Sequence, residues 1–182
     1  MNGDDLEGIA MLAEDRPVDV RFIELMPIGC GKDYTGISSE EILRRLERRF
    51  GAAIAVPGKS PLAAAGREAD PYEETDGPAE YYQFPGFSGR IGFISPISHK
   101  FCRECNRVRL TCEGRLKLCL HYDRGLELKP LLRGGASDEE IGRQIINALK
   151  EKPSEHHFRE RTAGEELPDG VEEQRKMVQI GG

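Results

Sequence analysis

The stretch from Phe101 to Leu120 reads FCRECNRVRLTCEGRLKLCL and holds four of the five cysteines in the chain. Their spacing allows two alternative metal sites. If all four take part, as C-x2-C-x6-C-x6-C, the thiolates form the closed tetrahedral site that structural zinc prefers. If only Cys102, Cys105 and Cys119 take part, as C-x2-C-x13-C, three thiolates form an open site.

A β-hairpin within this stretch separates the two alternatives. We expect antiparallel strands over 107–111 and 115–121, joined by a three-residue loop over 112–114. The last loop residue, Gly114, takes the left-handed conformation that such loops favour at this position. The position of the glycine therefore supports the hairpin.

The register of this hairpin determines which cysteines meet. Arg107 is expected opposite Cys119, so Cys119 returns to within two residues of Cys105. Cys112 lies at the hairpin tip, at ~3.3 Å per residue roughly 16 Å away, and cannot bind the same ion. The other expected pairs are Arg109 with Lys117 on this functional face, and Leu110 with Leu116 and Val108 with Leu118 on an apolar face.

Three thiolates are one too few for a closed zinc site, but they suit an iron-sulfur cluster with one iron left open to a further ligand. Arg107 and Arg109 add two cations with fork-shaped donors, which suit the phosphates of a bound nucleotide. The pattern therefore predicts a site for a phosphorylated small molecule. The alternative that stays open is a zinc-stabilised structural or nucleic-acid-binding module with solvated arginines.

The segments on either side of the cysteines predict both helices and strands. Capping boxes of the form S-x-x-E, at Ser38 and Ser137, each begin an amphipathic helix. The first helix ends at Gly51 and the second before Pro153. A shorter helix is predicted over 4–14, and strands are predicted over 18–25, 81–84 and 89–97. This order is typical of α/β folds, although one such unit cannot close a sheet by itself.

Composition limits the classes of function. The 182 residues carry 26 Lys plus Arg against 32 Asp plus Glu, a formal net charge of −6, which argues against a protein that coats nucleic acid or an anionic membrane. No window approaches the ~18 to 20 continuous apolar residues of a membrane span, and residues 1–5 do not resemble a signal peptide. Clustered cysteines suit metal binding in a reducing compartment, so we expect a cytoplasmic protein. From the charge and the lack of a long apolar stretch we expect no membrane or nucleic-acid partner.

The chain resembles the C-terminal part of the GTP 3',8-cyclases, a family of radical S-adenosylmethionine enzymes in molybdenum cofactor biosynthesis. The resemblance rests on six blocks that follow in order along nearly the whole chain, apart from the segment between Pro57 and Glu80. The blocks are Phe22–Pro27 (FIELMP), Gly92–Pro96 (GFISP), Phe101–Thr111 (FCRECNRVRLT), Leu128–Arg133 (LKPLLR), Lys152–Phe158 (KPSEHHF) and Ile180–Gly182 (IGG).

The resemblance implies a reaction and the groups that serve it. In this family a 5'-deoxyadenosyl radical takes the C3' hydrogen of GTP, and C3' then bonds to C8, which gives 3',8-cyclo-7,8-dihydro-GTP, the first step towards molybdopterin. An auxiliary 4Fe-4S cluster on the three cysteines is implied, with its free iron meeting the guanine. The residues implied to line the GTP site are Arg107, Val108 and Arg109.

Two further roles, and one gap, come from the same resemblance. Met26 is implied to contact the adenosyl group of S-adenosylmethionine, and Gly181 and Gly182 are implied to reach back to the active site. The family reduces S-adenosylmethionine at a second cluster on a C-x3-C-x2-C motif, and this sequence has no such motif, since Cys30 stands alone. We therefore expect a fragment that is inactive by itself and needs an N-terminal partner chain.

The expected fold class is α/β: the last βα portion of an incomplete TIM-like radical-enzyme barrel, followed by an α+β cluster-binding region. The ranges are 1–55 for the end of the barrel, 56–80 for a flexible insertion, 81–158 for the cluster- and GTP-binding region, and 159–182 for a mobile tail. The oligomeric state is open, with a homodimer among the states considered. The sequence assigns no role to Glu24, His99 or His121.

Overall fold

The structure, a computed structural model, describes residues 3–57, 78–158 and 173–180. The described chain is a mixed α/β fold with seven β-strands and four α-helices. None of its helices is both long and apolar enough to cross a membrane. Most of the predicted insertion, residues 58–77, lies outside the described residues, as do residues 159–172 of the predicted tail.

The chain divides into two compact units. The described residues within 1–25 and 35–99 form the first unit, and the described residues within 26–34 and 100–182 form the second. The segment 26–34, which includes Met26, therefore groups with the cysteine-bearing unit, although in sequence it follows the first strand of the other unit. The division into ranges 1–55, 56–80, 81–158 and 159–182, made from the sequence, stays a prediction.

A four-stranded sheet organises the first unit. Its strands are β1 (Asp19–Ile23), β2 (Ile54–Val56), β3 (Ala79–Gln83) and β4 (Arg90–Ile94). They lie in the order β1-β4-β3-β2, with β1 parallel to β4 and the other neighbours antiparallel. The three strands predicted in this region are confirmed. The sequence did not predict β2, because three residues are too few to establish an alternation.

Helices cover one face of this sheet. They are α1 (Leu6–Ala10), which is flanked by two 3-10 turns, and α2 (Ser39–Phe50). The hydroxyl of Ser38 accepts a hydrogen bond from the backbone N–H of Glu41 at 3.2 Å, so the predicted capping box begins α2. The core is formed by residues from α1, α2, β1, β4 and the turn after β3, among them Ala10, Val20, Leu46, Phe84, Ile91 and Phe93.

The second unit contains a three-stranded antiparallel sheet and two helices. The strands β5 (Arg109–Leu110), β6 (Arg115–Lys117) and β7 (Gly125–Glu127) lie in this order. The helices are α3 (Leu128–Arg133) and α4 (Asp138–Lys150). Ser137 caps α4 through the backbone N–H of Glu140 at 3.2 Å, as predicted. No residue of α4 is fully buried, and Ile146 on its apolar stripe is 58% exposed.

Candidate functional site

The hairpin that leads to the third cysteine folds in the predicted register. Arg109 pairs with Lys117, and Leu110 pairs with Leu116. Gly114 has a φ of 85°, and its backbone N–H donates to the carbonyl of Thr111 at 3.0 Å. A glycine is favoured here because side chains with a Cβ rarely adopt this φ. The three-residue loop is therefore confirmed.

The prediction of an apolar hairpin face was wrong for half of its residues. Leu116 and Leu118 are buried, but Leu110 is 63% exposed and Val108 is 40% exposed. Lys117, expected on the functional face, is 1% exposed. Alternation along a strand decides the side to which a side chain points, and the elements packed against each side decide its burial. The paired region also ends earlier than predicted, so Cys119 lies beyond the last residue of β6.

Two thiols, Cys105 and Cys119, lie near enough to Cys102 to affect its pKa. A 3-10 turn over Cys102–Glu104 brings Cys102 and Cys105 together, with the N–H of Cys105 donating to the carbonyl of Cys102 at 3.1 Å. Burial raises the pKa of the Cys102 thiol most, and negative charge on Cys119 and on Cys105 raises that pKa further. Charge interactions of this kind act over short distances in a protein. The fold therefore places Cys119 within electrostatic reach of Cys102.

Positive groups and an N–H donor surround these thiols. The backbone N–H of His156 donates to the sulfur of Cys102, and this bond and the charge of Lys100 partly offset the rise in the pKa of Cys102, which stays above its ordinary value. The Nζ of Lys152 lies 3.9 Å from the Sγ of Cys105 and donates to the carbonyl of Arg107 at 2.7 Å. Donors and cations of this kind favour the thiolate form that metals bind. The sequence placed residues 152–158 in the cluster- and GTP-binding region on the KPSEHHF block, but it did not identify Lys152 or His156 as a neighbour of the cysteines.

The remaining cysteines have different surroundings. The Cys112 thiol is exposed at the hairpin tip and lies 3.1 Å from a carboxylate oxygen of Glu113, which raises the pKa of Cys112. Cys30 is exposed on a 3-10 helix over Gly29–Asp33. All five cysteines are free thiols. A neighbouring carboxylate disfavours the thiolate, so Cys112 is poorly suited to bind metal.

The donor set distinguishes a cluster from a single ion. Across the described residues, no group of three His, Cys, Asp or Glu side chains could hold one metal ion. A single zinc needs all its sulfur ligands within about 2.3 Å of one centre. An iron-sulfur cluster instead spreads its thiolates over several irons. Cys102, Cys105 and Cys119 are half-buried thiols with an N–H donor and cationic neighbours, a chemistry suited to a cluster, whereas the exposed Cys112 beside Glu113 is poorly suited to be a fourth zinc ligand.

The arginines expected to bind phosphate lie next to these thiols in the chain. Arg107 is exposed, and Arg109 is half-buried in β5. In the described part of the chain neither is paired with a carboxylate, whereas Arg115 pairs with Asp123 and Glu127. Between residues 100 and 119 there are six basic and two acidic residues, although the whole chain carries −6. The local charge therefore suits an anionic ligand.

Glu24 follows β1 and has a structural role. Its buried carboxylate accepts hydrogen bonds from the backbone N–H groups of Ser39, Ile97 and Ser98 and from the Ser98 hydroxyl, at 2.5 to 3.2 Å. Burial raises its pKa, but the hydrogen bonds outweigh burial, so the pKa of Glu24 is lower than usual. Glu24 thus joins the start of α2 to the segment that follows β4.

Five other positions considered in the sequence are Met26, His99, His121, Gly181 and Gly182. Met26 is half-buried, and its carbonyl accepts the N–H of Ile28 at 2.8 Å. His99 is exposed. His121 is 2% exposed, and the centre of its ring lies 4.2 Å from that of Phe158, so it packs among aromatic rings. Gly181 and Gly182 lie outside the described residues.

Comparisons with known proteins agree on one family. The model of the family Molybdenum Cofactor Synthesis C matches residues 18–158. The chain is 38% identical over 181 residues to "GTP 3',8-cyclase" of Clostridium perfringens (strain 13 / Type A), covering 100% of this chain and 50% of that protein. It is 40% identical over 186 residues to the protein of the same name from Alkaliphilus oremlandii (strain OhILAs), covering 100% of this chain and 49% of that protein. The chain therefore spans about half the length of the curated relatives it matches.

Proposed function

The chain belongs to the Molybdenum Cofactor Synthesis C family, and from that premise we propose that it is the cluster- and GTP-binding C-terminal part of a GTP 3',8-cyclase. The full enzyme converts GTP to 3',8-cyclo-7,8-dihydro-GTP by radical S-adenosylmethionine chemistry. One observation carries the proposal for this chain: charge on Cys105 and on Cys119 raises the pKa of Cys102, so both thiols lie within electrostatic reach of Cys102. These thiols lie within the residues that match the family.

In this proposal Cys102, Cys105 and Cys119 hold a 4Fe-4S cluster. The bound cluster supplies an open iron position at which the guanine of GTP coordinates. The N–H of His156 and the ammonium of Lys152 lie beside the sulfurs of Cys102 and Cys105. Hydrogen bonds and charges near the sulfurs are among the features that set a cluster's reduction potential. These two groups therefore stabilise the thiolates in the bound state.

The same part of the chain binds the rest of the nucleotide. Arg107 and Arg109, neither of them paired with a described carboxylate, bind the triphosphate through charge-assisted hydrogen bonds. Val108, 40% exposed between them, offers apolar surface to the nucleotide. Met26 contacts the adenosyl group of S-adenosylmethionine. Gly181 and Gly182 complete the site from the tail, a role supported by the complete burial of the residue before them, Ile180.

We further propose that the first unit is the end of an incomplete TIM-like barrel. The parallel pair of β1 and β4 supports this proposal, as does the place of β1 at the edge of its sheet. In this proposal the part of the relatives' length that this chain does not cover supplies the cluster that reduces S-adenosylmethionine. Mixing this chain with the N-terminal half of the Clostridium perfringens enzyme and assaying GTP conversion tests this proposal. Conversion by the mixture and by neither part alone is expected.

Anaerobic reconstitution tests the proposed site directly. The chain is loaded with iron and sulfide, analysed for iron and zinc, and examined by electron paramagnetic resonance with and without GTP. We expect about four irons per chain and a signal that changes when GTP is added. One tightly bound zinc per chain, or no retained iron, would overturn the cluster assignment. A cluster with a signal indifferent to GTP would instead overturn the open-iron site.

A further inference from the structure

A buried ion pair joins the C-terminal part of the chain to the strand that leads to Cys119. Lys117 is the last residue of β6, and its side chain is 1% exposed. The carboxylate that contacts its ammonium belongs to Glu173, whose side chain is 2% exposed. A charge buried this deeply is stable only while it is paired. The two segments are therefore held together by a contact that is costly to break.

Glu173 contacts residues on both sides of Cys119 in the chain. Two residues before the cysteine, its carboxylate pairs with Lys117. Two residues after the cysteine, its backbone N–H donates to the carbonyl of His121 at 2.8 Å. The ammonium of Lys117 closes the same turn by donating to the carbonyl of Tyr122 at 3.1 Å. The turn over 117–122, which holds Cys119 at its centre, is thus pinned at both ends.

Residues 173–180 are here named the strap. Besides the contacts of Glu173 with Lys117 and His121, the strap makes further hydrogen bonds and buries an apolar side chain. Arg175 donates to both carboxylate oxygens of Glu173 at 2.9 Å and to Asp123 at 3.0 Å. Burial raises the pKa of Glu173, but the hydrogen bonds from Arg175 and Lys117 outweigh burial and lower it to about 2. Ile180 is fully buried at the other end of the strap. The strap is therefore fixed by charge at one end and by apolar burial at the other.

We propose that Glu173 is a positioning residue for the cluster ligand Cys119. Cys119 lies beyond the last residue of β6, so pairing between β5 and β6 does not hold it directly. The strap supplies that restraint through Lys117 and His121. Cys102 begins a separate 3-10 turn over Cys102–Glu104, and Cys105 follows that turn. This inference rests on the proposed function, because it assigns to Cys119 the ligand role proposed above.

Glu173→Gln tests the inference against a matched control. The amide keeps the shape of the side chain but leaves the Lys117 ammonium buried without a counter-charge. The control, Glu127→Gln, removes an exposed carboxylate that pairs with Arg115 at 3.1 Å on the same sheet. Reconstituted proteins are challenged with an iron chelator, and the rate of cluster loss is measured. We expect Glu173→Gln to lose its cluster about 10- to 100-fold faster, the range typical for residues that orient metal ligands, and Glu127→Gln to match wild type.

A second readout does not depend on iron. The metal-free chain is alkylated, and the rate at each cysteine is followed by mass spectrometry, with exposed Cys112 as the internal reference. We expect Glu173→Gln to raise the relative rate at Cys119 severalfold and to leave Cys102 and Cys105 unchanged. Equal acceleration at all three would indicate general loosening and overturn the positioning role, as would no acceleration at Cys119. If the wild-type chain takes up no iron, the proposed function fails. The alkylation rates of the metal-free chain still decide whether Glu173 positions Cys119.

A double variant covers the case in which Glu173→Gln does not fold. Lys117→Met with Glu173→Leu removes both charges, so neither is left buried without a partner, and apolar replacements of a buried pair are often tolerated. The backbone bond from residue 173 to His121 remains available in this variant. We expect a folded protein in which Cys119 is alkylated at a rate between those of wild type and a chain truncated after residue 172. Truncation without any effect on Cys119 would overturn the inference.

Discussion

Arg90 and Asp19 form a two-point ion pair across the parallel strands β1 and β4. The Nε of Arg90 donates to Oδ1 of Asp19 at 3.0 Å, and Nη2 donates to Oδ2 at 2.7 Å. The two residues are register partners, and their side chains are 5% and 15% exposed. Arg90 also lies over the ring of Tyr81, 4.1 Å from its centre. One side chain thus links β1, β4 and β3.

Breaking this pair should destabilise the first unit. Asp19→Asn removes the carboxylate that makes the two-point ion pair with the buried guanidinium of Arg90, and breaking a buried pair from one side typically costs about 3–5 kcal/mol of unfolding free energy. Urea denaturation followed by circular dichroism measures this change. The control is Glu40→Gln. The Glu40 side chain is 76% exposed, and its carboxylate lies 3.9 Å from Arg44, so we expect this variant to lose about 0.5 kcal/mol or less of unfolding free energy. Equal losses in the two variants would contradict the importance of the pair.

The two cysteines of the hairpin should behave differently. Cys119→Ser removes one of the three proposed ligands, so we expect iron content after reconstitution to fall to near background. Cys112→Ser changes only an exposed thiol beside Glu113 and should retain the wild-type iron content. Iron analysis and the visible absorption of the cluster measure both. Equal loss of iron from the two variants would show that the tip cysteine is also a ligand.

The arginines should contribute to GTP affinity. Arg107→Met and Arg109→Met each remove a charged hydrogen-bond donor, worth roughly 1.5–3 kcal/mol when it contacts a charged ligand, or about 10- to 150-fold in Kd. Isothermal titration with the reconstituted chain measures the change. Arg44→Met, on an exposed face of α2, is the control. An affinity that stays the same in both hairpin variants would remove these arginines from the GTP site.

Acid should weaken the strap. Glu173 has a pKa of about 2 in the folded protein, against an ordinary value of 4.5. A carboxyl group with a lowered folded-state pKa adds stability above its unfolded-state value, and that stability is lost as the pH falls from about 4.5 towards 2. The difference corresponds to about 3 kcal/mol.

Urea unfolding of the metal-free chain from pH 6 to pH 2.5 measures this effect. We expect wild type to lose its stability advantage over Glu173→Gln as the pH falls through this range. An advantage that is constant across the range would mean that Glu173 does not carry the charge that holds the strap.

Two glycines should respond oppositely to alanine. Gly114 has a φ of 85°, and an added Cβ would meet the Cβ of Lys129 at 2.9 Å. Gly114→Ala should therefore cost about 1–2 kcal/mol from the left-handed backbone, with further loss from the contact. Gly142 lies inside α4, and an added Cβ would meet nothing within 4 Å. Gly142→Ala should stabilise by about 0.5–1 kcal/mol. Thermal unfolding distinguishes the two, and a neutral Gly114→Ala would contradict the assigned turn.

Local chemistry made several elements predictable. Ser38 and Ser137 cap their helices through side chains three residues away in sequence, and the left-handed conformation of Gly114 follows from its place in a three-residue loop. Each of these features involves neighbours within a few positions, so the sequence contains all of the interacting groups. The pairing of Arg109 with Lys117 follows from the same short loop.

Other features depend on groups that are distant in sequence. The parallel pairing of β1 with β4 joins residues about seventy positions apart, and no local pattern indicates the partner of a parallel strand. The burial of Lys117 depends on Glu173, 56 positions away, so a lysine expected on the functional face lies inside the protein.

The candidate metal site combines both kinds of information. The C-x2-C spacing and the hairpin predict that Cys102, Cys105 and Cys119 lie together and that Cys112 lies apart, because loop length and strand alternation are local constraints. The donors that surround those sulfurs come from the segment 152–158, and the strap around Cys119 comes from residues 173–180. Spacing along a chain determines which side chains are near neighbours, whereas folding decides which distant groups stabilise their charge.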